Sequence, residues 1–503
     1  EKNNQITVGW DYDAISPLNS LVTLPVDPLT GQARQIKGGL MYAGVNGAPT
    51  HQGNAPPAKF SPRGGIAWAI DEKNVVRGGY GIFWAPQYFS VGASQTGYDS
   101  TTTLQQNTLV PITTIDNPFP NGLDKPTGNS RGLLTAVGNN VSFVDQNAGA
   151  ASVQQYAVDY QRDLPGNVAL SIGYMGSRGT DLVYSSSLNI NQLPVEYMAL
   201  GNALVQLVPN PFFGVAAAGP FASRATIERG QLLRPFPQFL NVSMLQTTGA
   251  RSVYHAMILQ VNKRTTGWWG GRFNYTWSRL KDNQFGQGNY YSTSGTALDN
   301  YHPDAEYGIS GLDMTHKIVI APILRLPFGE GKRFLNKGGV LDAIVGGWTV
   351  SAVGLLESGF PIQMTQTPNN SGLFGSGQRP NKVPGVDPLL PGGIIGRLDK
   401  SISDNQYLNP AAWSLAPAYT FGNAPRSDPN VRTPWRNNLD LSLSKDFRTG
   451  GDTRASLRME VFNVTNTPKF AGGTTTLGSA AFGQIRTQGG YMRMTQITLR
   501  FTF

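Results

Sequence analysis

The sequence predicts an all-β fold, an antiparallel up-and-down transmembrane β-barrel with long extracellular loops and short periplasmic turns. Three observations predict it. Apolar and polar residues alternate with period two in about twelve segments, as they do when one face of a strand meets an apolar medium and the other does not. Most of these segments run for about 8–13 residues, nearer the ~9–11 of a tilted bilayer-crossing strand than the ~5–6 usual in soluble sheets. The connections between them alternate between short and long, which places every long one at the same end of a meander.

Composition removes the competing classes. Of 503 residues, 60 are Gly and 34 Pro, a share that would suggest disorder if aromatics did not make up 10% of the chain. No apolar run approaches the ~18–20 residues of a membrane helix; Ile318–Leu324 is among the longest and contains Pro322. The absence of Cys excludes disulfide scaffolds, Cys-based zinc sites and thiol catalysis. The net charge of +9 comes from scattered Lys and Arg without a run of five or six, so no nucleic-acid partner is expected. The chain opens at Glu1 with no signal peptide and reads as a mature chain or a fragment.

The elements follow in order. A first strand is expected over 5–12, with Ile6, Val8, Trp10 and Tyr12 on one face. Strands over 60–70 and 73–84 turn at Asp71–Glu72. Strands over 151–163 and 167–175 turn at Leu164–Gly166, with Tyr156, Val158 and Tyr160 opposite Gln155, Ala157 and Asp159. Strands over 252–264 and 270–281 turn at Thr265–Trp269, and those over 315–326 and 345–357 are joined by the longer Pro327–Ile344. Strands over 437–447 and 453–463 turn at Arg448–Asp452, and a closing strand covers 491–503. Gly, Pro and Asp at these junctions are hairpin chemistry. The long connections are 13–59, 85–150, 176–251, 282–314, 358–436 and 464–490. Gly39–Gly44 is expected in a loop, because a strand there would put two long loops at opposite ends. Trp10, Tyr12, Trp84, Tyr88, Tyr174, Trp268, Trp269, Trp348 and Trp435 lie at or near strand ends, where amphipathic rings form headgroup girdles.

Alternation also sorts side chains by face. Arg77, Asp159, Lys317, Arg325, Asp440, Arg458, Glu460 and Arg500 are expected toward the lumen, meeting solvent or a plug more than a solute. Leu441, Leu457, Met459, Leu499 and Phe501 are expected toward lipid. Phe212, Phe213, Tyr407, Trp413 and Trp435 are the loop aromatics that could stack on a sugar or peptide, although packing loop on loop is their commoner use. No catalytic residue and no cofactor is expected. Gly128-Asn129-Ser130-Arg131-Gly132 fits a nucleophile-elbow pattern but lacks the strand before it. Asp299, His302, Asp304, Asp313 and His316 have no fixed ligand spacing, so no metal is expected either.

Ser61-Pro62-Arg63-Gly64-Gly65, Arg77-Gly78-Gly79-Tyr80-Gly81-Ile82-Phe83 and Tyr275-Thr276-Trp277-Ser278-Arg279 carry a resemblance. So do Leu326-Pro327-Phe328-Gly329-Glu330-Gly331-Lys332-Arg333-Phe334, Gly346-Gly347-Trp348, Ser358-Gly359-Phe360-Pro361 and Glu460-Val461-Phe462-Asn463-Val464-Thr465-Asn466. Together they resemble, in family order over about residues 60–503, the barrel of Oar-like TonB-dependent receptors. The closing strand ending in Phe503 is similar to the C-terminal signal that outer-membrane barrels present to their assembly machinery. The resemblance implies a barrel of about 22 strands, a plug domain, a TonB box and often an N-terminal carboxypeptidase-regulatory-like domain that binds carbohydrate. Residues 1–503 are then expected to be the C-terminal part of such a barrel, the plug and N-terminal domain lying outside this chain. It further implies a cell outer-membrane location with a periplasmic C-terminus. The implied partners are outer-membrane lipid, the barrel assembly machinery, the TonB complex through the missing N-terminal region, and an unknown scarce solute. Two alternatives stand beside transport: an outer-membrane structural or adhesion barrel, and a soluble secreted β-protein that binds carbohydrate.

Overall fold

The computed structural model describes residues 5–54, 57–85, 96–102, 113–120, 122–185, 187–285, 297–391, 405–450, 453–470 and 472–503. Eleven long strands form one antiparallel sheet in strict chain order. They are β1 (Arg63–Ala69), β2 (Asn74–Trp84), β3 (Ser152–Leu164), β4 (Val168–Val183), β5 (Thr248–Thr266) and β6 (Trp269–Asp282). β7 (His316–Arg325), β8 (Trp348–Glu357), β9 (Arg436–Gly450), β10 (Thr453–Phe462) and β11 (Met494–Thr502) complete the set. A two-residue strand, Gly308–Ile309, adds to the end of β6 and makes the twelfth member. β1 and β11 are the edges, each paired on one side among the described residues.

Local chemistry sets the tight turns. Asp71 Oδ1 accepts from the Lys73 and Asn74 N–H groups, each at 2.8 Å, and folds β1 onto β2. Gly166 (φ 83°) and Asn167 (φ 60°) supply the left-handed backbone between β3 and β4. Thr266 pairs with Trp269 across Gly267 (φ 69°), a two-residue hairpin between β5 and β6. The Gly451–Asp452 part of the β9–β10 turn lies outside the described residues, as does Tyr88.

Opposed residues of an antiparallel pair point to the same side, so the register carries each face across the sheet. One row runs Trp68, Val76, Tyr160, Ile172, Leu259, Tyr275, Ile318, Leu356 from β1 to β8. Another runs Trp269, Leu324, Val350, Leu443, Met459, Ile497 from β6 to β11. These rows are apolar throughout. The opposite face carries Ala67, Arg77, Asp159, Gly173, Ile258, Thr276, Lys317, Glu357 and Arg436 in one row. Ser351, Ser442, Glu460 and Gln496 form another.

The first expected barrel strand is corrected. Thr7–Ile15 pairs with Lys37–Tyr42 in a separate two-stranded sheet, so the segment around Gly39–Gly44 is a strand and not a loop. The apolar side of Thr7–Ile15 is covered by protein. Trp10 packs at 5.0–5.7 Å centroid distance on Phe143, Phe236 and Phe239, and is therefore no girdle residue. Period two reports that a face is covered, not by what.

The long connections gather at the end opposite the tight turns and fold into a cap with its own cores. One holds Trp10, Leu18, Ile36, Phe143, Phe212, Phe221, Phe236 and Phe239; another holds Met364, Tyr407, Leu408, Trp413 and Phe482. Val242–Leu245 ties loops together by pairing parallel with Val141–Val144 and antiparallel with Ser187–Asn189.

Candidate functional site

The eight charged residues singled out by alternation fall on one face of the sheet. Glu357 is the centre of their densest part: Lys317 Nζ stands 3.0 Å from Oε1 and Arg436 Nη2 2.8 Å from Oε2. Asp440 Oδ1 accepts from Asn438 Nδ2 (2.8 Å) and from the Asn463 N–H (2.7 Å). Asp159 accepts from Ser171 Oγ, and Arg458 lies 3.8 Å from Glu460. Arg77, Arg325 and Arg500 have no side-chain hydrogen bond or ion pair among the described residues. Over this polar face a hollow of about 880 Å³ is lined by Gln260, Asn262, Arg272, Asn274, Ile323 and Ser351, among others.

Leu441, Leu457, Met459, Leu499 and Phe501 all share the opposite, apolar face. That face is bordered by rings at both ends. Toward the loops Tyr174 stacks on His255 and hydroxyl-bonds its Nδ1 at 2.6 Å. His316 is sandwiched between Tyr275 (6.1 Å) and Trp435 (6.0 Å). Trp435, expected both among the strand-end rings and as a loop aromatic, joins this border. Toward the turns stand Trp268, Trp269 and Trp348.

Of the other loop aromatics, Phe212, Tyr407 and Trp413 are buried in the cap cores, whereas Phe213 is exposed. Phe503 is fully exposed beyond the end of β11. The loose acidic and His group disperses. His302 Nδ1 meets Asp299 at 2.6 Å, Asp304 accepts from Tyr184 and Asn283, Asp313 binds Arg432, and His316 lies in its aromatic stack.

Sequence reasoning missed the polar clamps of the cap. Three arginines from the β8–β9 connection grip β6 and the loop that follows it. Arg379 Nη2 lies 2.8 Å from Glu306, both side chains about 5% exposed. Arg426 binds the Asp282 carboxylate and donates to the carbonyls of Asp282 (2.7 Å), Gln284 (2.8 Å) and Glu306 (3.1 Å). Arg432 Nη2 lies 2.6 Å from Asp313. Asn191, fully buried, donates to the carbonyls of Phe236, Phe239 and Leu240 and accepts from the Phe236 N–H. Arg234 is buried on the neutral oxygens of Asn191, Gln231 and Asn241. Burial pushes its guanidinium down to about 10. It lines a second hollow, of about 650 Å³, with Arg224, Glu228 and Phe374. Burial, followed by the hydrogen bond to Asp304, pushes the Tyr184 phenol up to about 12. Apart from Gln231 and Asn241 beside Arg234, these partners lie tens of residues or more apart in aperiodic sequence, which leaves no local signal.

A meander of long strands, apolar on one face and polar on the other, with its longest loops at one end, defines the wall of a membrane β-barrel. Residues 1–496 match the family described as outer membrane beta barrel domain, and the chain belongs to that family. Solved structures similar to it include the ferripyoverdine receptor of the outer membrane of Pseudomonas aeruginosa (TM-score 0.35, 10% identity, 88% of this chain and 32% of that one). The outer membrane transporter YddB from Escherichia coli is similar at TM-score 0.40 and 9% identity over 88% of this chain and 40% of that one. The ferric-catecholate import receptor Fiu from Escherichia coli K12 is similar at 0.35 and 9%, over 95% and 39%. The chain therefore spans about a third to two fifths of these proteins' length. A search of the curated proteins found no match.

Proposed function

We propose that the chain forms part of the wall of an outer-membrane receptor that moves a scarce solute through a polar lumen. The observation that carries this reading is the continuity of the two faces: uncharged apolar rows, one from β1 to β8 and another from β6 to β11, backed by rows of charges and amides. Hydrocarbon suits the first face and a wet interior the second. In this reading Arg77, Asp159, Lys317, Arg325, Asp440, Arg458, Glu460 and Arg500 line the lumen. Leu441, Leu457, Met459, Leu499 and Phe501 meet lipid. The cap is extracellular, the tight turns and Phe503 are periplasmic, and Phe503 is read by the assembly machinery. The wall itself makes and breaks no bonds.

Open edges on β1 and β11 would leave backbone groups unpaired in hydrocarbon at several kcal/mol each. Further strands therefore complete the cylinder. The resemblance to Oar-like receptors implies these strands, a plug and a TonB box in a preceding part of a longer protein, where the TonB complex would act. An adhesion barrel is the second reading, favoured by a cap that has hydrophobic cores of its own. Retention of the full gene product on the immobilised periplasmic domain of TonB decides between them. Binding is expected; a correctly folded product that passes through unretained would remove energised transport and leave adhesion.

A further inference from the structure

The connection between β7 and β8, residues 326–347, differs from the other turns at its end. Its basic side chains Lys332, Arg333 and Lys337 are exposed, and so are Phe334, Leu335, Val340, Leu341 and Ile344. Two contacts fix the position of its short helix, Val340–Val345. Lys445 Nζ donates to the carbonyls of Asp342 (3.2 Å) and Ala343 (2.6 Å), and Trp348 Nε1 donates to that of Ile344 (2.8 Å). Lys445 and Trp348 oppose each other across β8 and β9 on the apolar face. The helix is therefore held outside that face, near its turn end. The β5–β6 turn is alongside, since the Trp268 carbonyl accepts from the Arg325 N–H at 2.7 Å and Trp268 itself is exposed.

Exposed aliphatic and aromatic side chains next to exposed cations, continuous with a lipid-facing belt, match the headgroup layer of a bilayer. Of the two acids in the segment, Asp342 is turned inward and accepts from the Glu330 N–H at 2.7 Å, so the three cations dominate the outer surface. We propose that this connection is an interfacial anchor: Val340, Leu341 and Ile344 bed into the leaflet at the tight-turn end, and Lys332, Arg333 and Lys337 hold phosphates of anionic phospholipids. The proposal rests on the lipid-facing assignment of the apolar face made above.

The chain contains no Cys, so single thiols can be labelled cleanly. Ile344→Cys, Leu441→Cys and Phe213→Cys would each carry a fluorophore in the protein reconstituted into phosphatidylcholine vesicles with or without phosphatidylglycerol. Heat-modifiable migration first confirms that each variant has folded. The Phe213 label should be open to aqueous iodide. The Leu441 label should be shielded from iodide and quenched by nitroxides deep in the acyl chains. The Ile344 label should be shielded from iodide but quenched best by shallow nitroxides. Changing Lys332, Arg333 and Lys337 to Gln should weaken the preference of the Ile344 site for nitroxide-labelled phosphatidylglycerol by about fivefold per cation removed. An Ile344 label as open to iodide as Phe213, beside a shielded Leu441 label, overturns the anchor and leaves the facing intact. A Leu441 label open to iodide overturns the facing and the anchor with it. An unaltered lipid preference in the triple variant overturns the headgroup role.

Discussion

Arg426 is the side chain on which the cap's polar contacts converge. It is 4% exposed, pairs with a nearly buried Asp282 and donates to three carbonyls at the end of β6 and in the loop after it. Arg426→Ala would strand that carboxylate, and losing one partner of a buried pair typically costs about 3–5 kcal/mol. Urea titration of tryptic cleavage in the cap should show the loss, and Asp282→Asn in the same background should recover part of it. His302 behaves differently because it lies at the surface. The Asp299 carboxylate beside it raises its proton affinity, by hydrogen bond first and charge second. A raised folded-state value means the pair's support is complete below about pH 6.5 and fades as pH climbs through the higher folded value. Histidine NMR should place the His302 midpoint above the ordinary range, and Asp299→Asn should return it there. The Arg426 pairing was not legible in the sequence, because Arg426 and Asp282 are 144 positions apart and neither belongs to a repeating pattern, whereas Asp299 and His302 stand within one group singled out there.

At the level of the strand, the sequence is far more explicit. Eleven of the twelve expected strands take their places in the sheet, because each has to present a different chemistry on its two sides. Thr7–Ile15 shows the limit: Val8 and Trp10 alternate as a membrane strand would, yet phenylalanines from 143, 236 and 239 cover them. Neighbours in β9 allow a direct comparison. Leu441 opposes Ala352 and Val461, whereas Ser442 opposes Ser351 and Glu460. Arginine at a lipid-facing midplane position costs roughly 2–4 kcal/mol, so Leu441→Arg should depress heat-modifiable folding sharply while Ser442→Arg leaves it nearly intact. Equal folding of the two would reverse the facing. Where the wall meets the cap, a Cβ on Gly359 would lie 1.6 Å from the Thr433 carbonyl oxygen, which no side-chain rotation can relieve. Gly359→Ala should therefore expose the β8–β9 connection to protease and spare the tight turns.

For the whole molecule the unpaired edges decide behaviour. Among the described residues β1 and β11 each leave one edge of backbone groups unpaired, with large apolar side chains alongside, including Ile66, Trp68, Ile497, Leu499 and Phe501. Such edges recruit other strands. Expressed alone in detergent, the 503-residue chain should run on size exclusion as mixed oligomers, and a longer gene product that closes the cylinder should run as one species. A single heat-modifiable monomer from the short chain would contradict this.

β4 and β5 also continue beyond Arg178 paired with Val253, where the apolar face of β4 reaches a charged side chain, as far as Val183 with Thr248. Five residues at about 3.3 Å each make roughly 16 Å of strand, or about 11 Å of height at a 45° slant. If the apolar face meets lipid as proposed, the wall acts as a stem lifting the cap more than one Debye length, ~8 Å in physiological salt, clear of the leaflet's fixed charge. On the lipid-facing reading, an anion would reach that raised mouth before it felt repulsion from the membrane beneath.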